Sequence, residues 1–312
     1  MLFRSTWSAQ LETYYQQQPV FAVLGGLSTG EWAPVHAFCE ALELPCLFPQ
    51  VDLPVQSDTA FYTLYFSRGI TLEAEVLAAH LRARPLAASD PSVLQIYRND
   101  ARGTAAANAV RAAIRPSAGA RVIDVTLGAE EKITPEFWAQ TFQREQPAVL
   151  VLWLNAADLV TFPRAPSTSP LTARVYLSGS YVRDELPDQL RLHSQGYVLY
   201  PYELPAVRSA RFARMNAWLR AKNIPLSNDI LQANTYFAVA LVAEALRHTG
   251  NNFSREYFVE RIESMTETMP LVSGYHNVSL GPDQRYAAKG CYVVKYGPEH
   301  GLERDASEWI VP

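Results

Sequence analysis

The sequence predicts an α/β protein built on mainly parallel sheets. Strand-like and helix-like segments alternate along almost all of the 312 residues. The strand-like runs are short and continuously apolar, as in Ala148-Val149-Leu150-Val151-Leu152-Trp153-Leu154, which is the pattern of strands covered on both faces. The stretch from Val20 to Pro54 reads as a strand, a small-residue loop, a helix and a second strand.

Taken in order, a helix is predicted over 7–17. An apolar strand over 21–24 ends in Gly25-Gly26, Ser28 and Thr29 follow, and a helix runs over 33–42. A second strand, 46–48, ends at Pro49 with Gln50 and Asp52 beyond it. In open α/β sheets ligands collect at the carboxyl ends of strands, where hydroxyls and free helix N–H groups converge. The plainer alternative for Ser28 and Thr29 is a helix N-cap. Further strands are read at 62–66, 93–97, 122–127, 149–154, 175–178 and 197–200, and further helices at 72–83, 104–114, 135–146, 206–222, 229–249 and 254–265. Thr134-Pro135 places proline at a first helical position, and Gly250 stops the long helix. There is no internal repeat, and the one loop-like stretch is 163–172.

Composition limits the function classes. With 48% hydrophobic and 19% charged residues the chain can bury a sizeable core, and 312 residues allow one large or two ordinary domains. A net charge of −4 gives no basic excess for nucleic acid. No apolar run reaches the roughly 18 residues that a membrane span needs, so no membrane insertion is expected. Cys39 and Cys46, on a helix and the next strand, could face each other; two buried thiols acting as small apolar groups are the favoured reading, and Cys291 is expected in the core.

No catalytic constellation is visible. The six histidines, His36, His80, His193, His248, His276 and His300, show no pair at metal-ligand spacing. Gly25-Gly26-Leu27-Ser28-Thr29-Gly30 lacks the P-loop lysine and the dinucleotide-binding spacing. Glu130, Glu131, Asp184 and Glu185 read as solvated loop carboxylates. No metal, cofactor or enzymatic activity is expected.

An ordered series of segments resembles the type I periplasmic solute-binding proteins, the family of the leucine/isoleucine/valine-binding protein. Val23-Leu24-Gly25 matches a first strand end and Leu44 to Pro49 a second. Tyr62 to Arg68 matches the strand entering the first hinge, and Glu73 to Leu81 the helix after it. Val93 to Arg98 with Arg102-Gly103 matches the start of the second lobe, and Tyr286 to Tyr296 the C-terminal strand. The likeness covers nearly the whole chain. It implies a two-lobed type I periplasmic-binding-protein fold, each lobe a mainly parallel sheet flanked by helices. The first lobe would be 1–90 plus 201–281 and the second 91–200 plus 282–312, with crossings near 87–91, 200–205 and 277–282. Two opening strands of the family have no counterpart, so the first lobe is expected to be incomplete, with the 21–24 strand at a sheet edge and apolar surface beside it, which would favour self-association.

The resemblance also implies a function: extracytoplasmic binding of a small amino-acid-like or carboxylate-bearing solute in an interlobe cleft, for delivery to the membrane component of an ABC transporter. A periplasmic location follows, although Met1 to Ser8 shows no signal peptide. Carried over by position, the ligand-binding set is Ser28, Thr29, Gln50, Asp52, Arg68, Arg102, Asn155 and Tyr181. Two departures stand out. The family's ligand-covering aromatic falls on Arg102, which favours an anionic or aromatic ligand. Its amine-binding acid falls on about Tyr181, so an α-ammonium group loses its usual partner unless Asp52 replaces it. The competing readings are a ligand-sensing module attached to a cytochrome c-like domain, and an α/β enzyme using the same cleft.

Overall fold

The computed structural model describes residues 7–57, 59–85, 92–114, 121–163, 173–183, 196–250, 253–269, 272–296 and 307–312. The chain divides into two compact units, each made of two chain segments: Met1–Gly69 with Ser209–Lys289, and Ile70–Arg208 with Gly290–Pro312. There are thus three crossings, at 69/70, 208/209 and 289/290.

Unit 1 contains α1 (Trp7–Gln17), β1 (Val23–Leu24), β2 (Leu27–Glu31), α2 (Ala33–Ala41), β3 (Cys46–Leu47), β4 (Gln50–Leu53) and β5 (Thr63–Leu64). Strands β1, β3 and β5 form a parallel three-stranded sheet with β1 at its edge. The bridge Tyr65↔Tyr286 extends its other side. Alternation sorts the side chains of this sheet between two helical layers. Leu47 and Leu64 join Phe237, Leu241, Phe258 and Ile262 of the later helices, while Cys46 and Tyr65 join Trp32, Val35 and Cys39. The Glu40 carboxylate on α2 fixes the entry to β5, accepting from the Phe61 and Tyr62 amides at 2.9 and 3.2 Å and from the Thr63 hydroxyl at 2.7 Å.

Unit 2 opens with α3 (Ile70–Ala83) and continues through β6 (Ser92–Arg98), α4 (Ala101–Ile114), β7 (Arg121–Leu127), α5 (Pro135–Glu145), β8 (Val149–Trp153), β9 (Arg174–Ser178), the short α6 (Gly179–Val182) and β10 (Gly196–Tyr200). The chain then passes through α7 (Pro205–Arg211), inside which the second crossing falls, and returns to unit 1 for α8 (Ala213–Ala221), α9 (Asp229–His248) and α10 (Arg255–Thr268). It ends in unit 2 with β11 (Cys291–Lys295) and β12 (Ser307–Ile310). The sheet order is β12-β11-β10-β9-β8-β6-β7. Pairings from β7 to β10 are parallel, and β11 and β12 add antiparallel strands. Every residue of β8 is buried, as its uninterrupted apolar run requires.

The structure corrects several expectations. The Ser28–Thr29 segment is not a loop capping a helix. Gly25 and Gly26, at φ +73° and +120°, kink the chain, which resumes as β2 and pairs in parallel with β4. Helix α2 begins later, with Trp32 at its N-cap and no side-chain cap. Gln50 to Asp52 are likewise strand rather than loop. The helix expected over 206–222 is two helices that break at Phe212, whose ring is buried with Met215 and Leu219. The first crossing lies before α3 rather than near 87–91, because α3 packs on α4 and on strands β10 to β12 of unit 2. Residues 86–91, most of the 163–172 stretch, Asp184, Glu185, His193 and His300 lie outside the described residues.

The three cysteines are buried thiols. The Cys46 thiol beside it, then burial, push Cys39 far above the usual thiol range, and burial does the same to Cys291. Among the described residues no helix is long and apolar enough to cross a membrane.

Candidate functional site

In unit 1 the candidates gather where β3 and β5 end. Pairing of β2 with β4 sets Ser28 opposite Val51, beside Gln50 and Asp52. A Cβ on Gly69, at φ +60°, would stand 2.1 Å from the Asp52 carbonyl oxygen, so the turn carrying Arg68 rests directly on the backbone of β4. Arg68 is half-buried between Ser67, whose hydroxyl accepts from the Gly69 amide at 3.1 Å, and that turn. The side chain of Gln50 is held from another element: Asn234 on α9 donates to its Oε1 at 3.1 Å, and Asn234 Oδ1 accepts from the Gly274 amide at 2.7 Å. Asn234 is only 2% exposed, so it is a fixed support. Ser28, Gln50, Asp52 and Arg68 therefore share one end of the unit. Thr29 is exposed on β2, and the Ser28 hydroxyl accepts from the Gly30 amide at 3.1 Å.

In unit 2 the candidates lie at the carboxyl edge of the parallel strands. Arg102 is in the first turn of α4, just after β6; the Asp100 carboxylate accepts from the Gly103 amide at 2.7 Å and fixes that turn. Tyr181 follows β9. The Arg102 guanidinium carbon sits 3.8 Å from the centre of the Tyr181 ring, a stacked cation–π contact. The turn between them is tight, since a Cβ on Gly179 would meet the Leu199 carbonyl oxygen at 2.5 Å and the Tyr200 ring edge at 2.9 Å. Asn155, after β8, is exposed and its side-chain oxygen accepts from the Asp158 amide at 3.0 Å. That turn presents Asp158 to Arg98 at 2.5 Å, while Arg98 also donates to the Gly128, Ala129 and Glu131 carbonyls. Arg98 thus ties together the loops after β7 and β8.

A model of the periplasmic binding protein family matches residues 5–300. The chain belongs to that family. No curated protein matches it. Among solved structures it is similar to a putative branched-chain amino acid ABC transporter from Rhodospirillum rubrum, with 18% identity, 95% of this chain and 84% of that one covered, and a TM-score of 0.69. It is similar to a branched chain amino acid ABC transporter from Thermus thermophilus with bound valine, with 13% identity, 96% and 82% covered, and a TM-score of 0.70. A fatty acid ABC transporter substrate-binding protein from Thermomonospora curvata gives 12% identity, 97% and 78% covered, and a TM-score of 0.65. At such identities the likeness establishes the shared type I fold.

Sequence reasoning missed three residues of this periplasmic binding protein that organise its strand ends. Asn234 lies 184 residues from Gln50, and nothing in the helical pattern of α9 marks it. Arg98 reads as the polar end of a strand. Glu73, in the first turn of α3, is fully buried behind the 178–181 turn: its Oε1 accepts from the Ser180 amide at 3.0 Å. Burial pushes its carboxyl up to about 7, against the pull of hydrogen bonds from Ser178 and Ser180 and of the Arg102 charge. A surface hollow of about 310 Å³ in unit 1, lined by Phe61, Glu263, Leu280 and Arg285 among others, contains none of the candidate residues. Arg285 there is ion-paired to Glu263, and its guanidinium carbon lies over the Phe61 ring 5.1 Å from its centre, which is support for the segment before β11. Among the described residues no group of three or more His, Cys, Asp or Glu could hold a metal ion.

Proposed function

We propose that this periplasmic binding protein is the solute-binding component of an ABC transporter and takes a small carboxylate-bearing solute in the periplasm. The observation that carries the reading is Arg102 stacked on Tyr181 at the carboxyl edge of the unit 2 sheet. A guanidinium held over a ring face carries a fork of N–H donors in its own plane, a group that suits a carboxylate. The relatives named above bear on the same point: branched-chain amino acids and fatty acids have the carboxylate in common and little else. Tyr181 in place of an acid argues against a site built around an α-ammonium group. The proposed contact set is Ser28, Thr29, Gln50, Asp52 and Arg68 of unit 1 with Arg102, Asn155 and Tyr181 of unit 2. Binding without chemical conversion follows from the family, so no turnover of the solute is expected.

The test is calorimetry with leucine, leucinamide, glutamate, hexanoate and benzoate. At least one carboxylate is expected to bind, its amide is not, and Arg102→Ala should weaken the bound carboxylate by about 1.5–3 kcal/mol, roughly ten- to 150-fold in Kd. Unchanged affinity in Arg102→Ala, or binding of leucinamide as tightly as leucine, would overturn the reading.

A further inference from the structure

The unit 2 half-site has a support that its exposed residues do not reveal. Glu73 is 0% exposed and comes from α3, not from a strand end. Its Oε1 accepts the Ser180 amide at 3.0 Å. Its Oε2 and the hydroxyl of Ser178, which is also 0% exposed, are both buried without another protein partner among the described residues. The two groups are neighbours in the same knot of hydrogen bonds. One hydrogen bond resolves both deficits, with Ser178 Oγ–H donating to an ionised Oε2 or the neutral acid donating from Oε2 to Ser178 Oγ, while Oε1 keeps the Ser180 amide. The ionised form would place a charge in a dry site, and burial outweighs the hydrogen bonds from Ser178 and Ser180 and the Arg102 charge, so the neutral acid is favoured. Residues 178–181 are therefore pinned at two points, immediately before the Tyr181 ring on which Arg102 is stacked.

We infer that Glu73 is a positioning residue of the half-site: through Ser178 and Ser180 it sets the 178–181 turn and so the place of Tyr181 under Arg102. The pinning is made by the neutral acid, so it is strongest at mildly acidic pH and loosens as pH rises past neutrality. The groups facing Glu73 fit this. Arg102 on α4 stabilises the carboxylate and keeps its titration near neutrality, while Cys291 on β11 is a buried neutral thiol. The remaining strands meet α3 farther along, β10 with Tyr197 at His80 and β12 with Glu308 at Arg84. The functional weight of the inference rests on the ligand reading above, but the pinning itself does not.

The experiment is hydrogen exchange by mass spectrometry on the ligand-free protein, following the peptide over 176–183, at about pH 6 and about pH 8.5 after correction for intrinsic exchange rates. In the wild type this peptide should exchange about tenfold faster, corrected, at the higher pH, with peptides of β6 and β8 unchanged. Glu73→Gln carries an acceptor and a donor in the same places and should be protected equally at both pH values. Glu73→Ala should be fast at both. A wild-type peptide with no pH dependence, a Glu73→Gln protein that retains it, or a Glu73→Ala protein that is fully protected would each overturn the inference. Glu73→Gln keeps the test decisive should Glu73→Ala fail to fold. Because no ligand enters the measurement, failure here is separate from failure of the carboxylate reading.

Discussion

Gln95 is a fully buried polar residue of β6, on the face of the sheet opposite Leu94 and Ile96, and its burial is tolerated because its amide and its oxygen are both hydrogen-bonded. Its amide donates to the Ala107 carbonyl at 3.1 Å and to Asp124 at 2.6 Å, and its oxygen accepts from the Trp153 indole at 3.2 Å. Gln95→Leu has nearly the same volume but leaves the Trp153 N–H without an acceptor. It should cost about 1–3 kcal/mol in urea unfolding, the penalty of an orphaned buried donor; a stability within error of wild type would refute this account. Glu73 makes the opposite kind of contribution. Its folded carboxyl titrates at about 7 against 4.5 for an unperturbed one, so the fold prefers the neutral acid. The stabilisation this gives is fully present below about pH 4.5 and disappears as pH rises through about 7, on the order of 3 kcal/mol across that window. Glu73→Gln should remove this slope from a plot of stability against pH between about 5 and 8. An unchanged slope would show that other groups cause it.

The parallel strands of unit 2 were legible in the sequence because a strand covered on both faces is mostly apolar: β8 is apolar throughout, and β6 and β9 are apolar apart from Gln95 and their polar ends. One helix start was legible from a cap that the structure retains, Thr134 Oγ1 accepting from the Phe137 amide at 3.3 Å; the Asn228 cap, whose Oδ1 accepts from the Leu231 amide at 2.9 Å, was not read. Strands β2 and β4 were not legible: Leu27-Ser28-Thr29-Gly30-Glu31 has neither apolar alternation nor β-branched weight, and among the described residues each of the two strands pairs only with the other. The candidate site was legible in part. Arg102 and Tyr181 meet as a pair, and Gln50, Asp52 and Ser28 share one end of unit 1, because strand ends are ordered by topology. The supports were hidden, since a buried Asn or Glu on an otherwise ordinary helix leaves no periodic mark. Element α9 gives a direct check. Asn234→Leu should free Gln50 and leave the Gly274 amide unpaired, with a loss of about 1–3 kcal/mol in stability. Asn234→Asp retains the acceptor for Gly274 but not the donor for Gln50, and should recover part of that loss; equal losses in the two variants would assign the effect to packing alone.

At the scale of the whole molecule the two units differ in how their cores are closed. In unit 2 a large cluster packs on a seven-stranded sheet, including Leu94, Ile96, Trp138, Leu150, Leu152, Leu177 and Val198. Unit 1 sets two clusters on either side of a three-stranded sheet and a third, of Phe212, Met215, Leu219 and Ala233, among its helices. The edge strand of that sheet, β1, has only two residues, and Leu24 and Leu27 beside it are 39% and 64% exposed. Few strands fixed by a long-range core and an uncovered edge are the conditions for low local stability. Each unit is made of two chain segments, so each closes only after distant segments have met, at a cost in loop-closure entropy. Amide exchange at neutral pH should therefore place β6, β8 and β9 among the slowest-exchanging segments, with 23–24 and 46–47 opening at clearly lower free energy. Low concentrations of urea should release unit 1 peptides first, in a transition separate from that of unit 2. Equal protection of β1 and β8, or one coincident transition for peptides of both units, would mean that the short sheet of unit 1 draws its stability from the whole chain rather than from its own clusters.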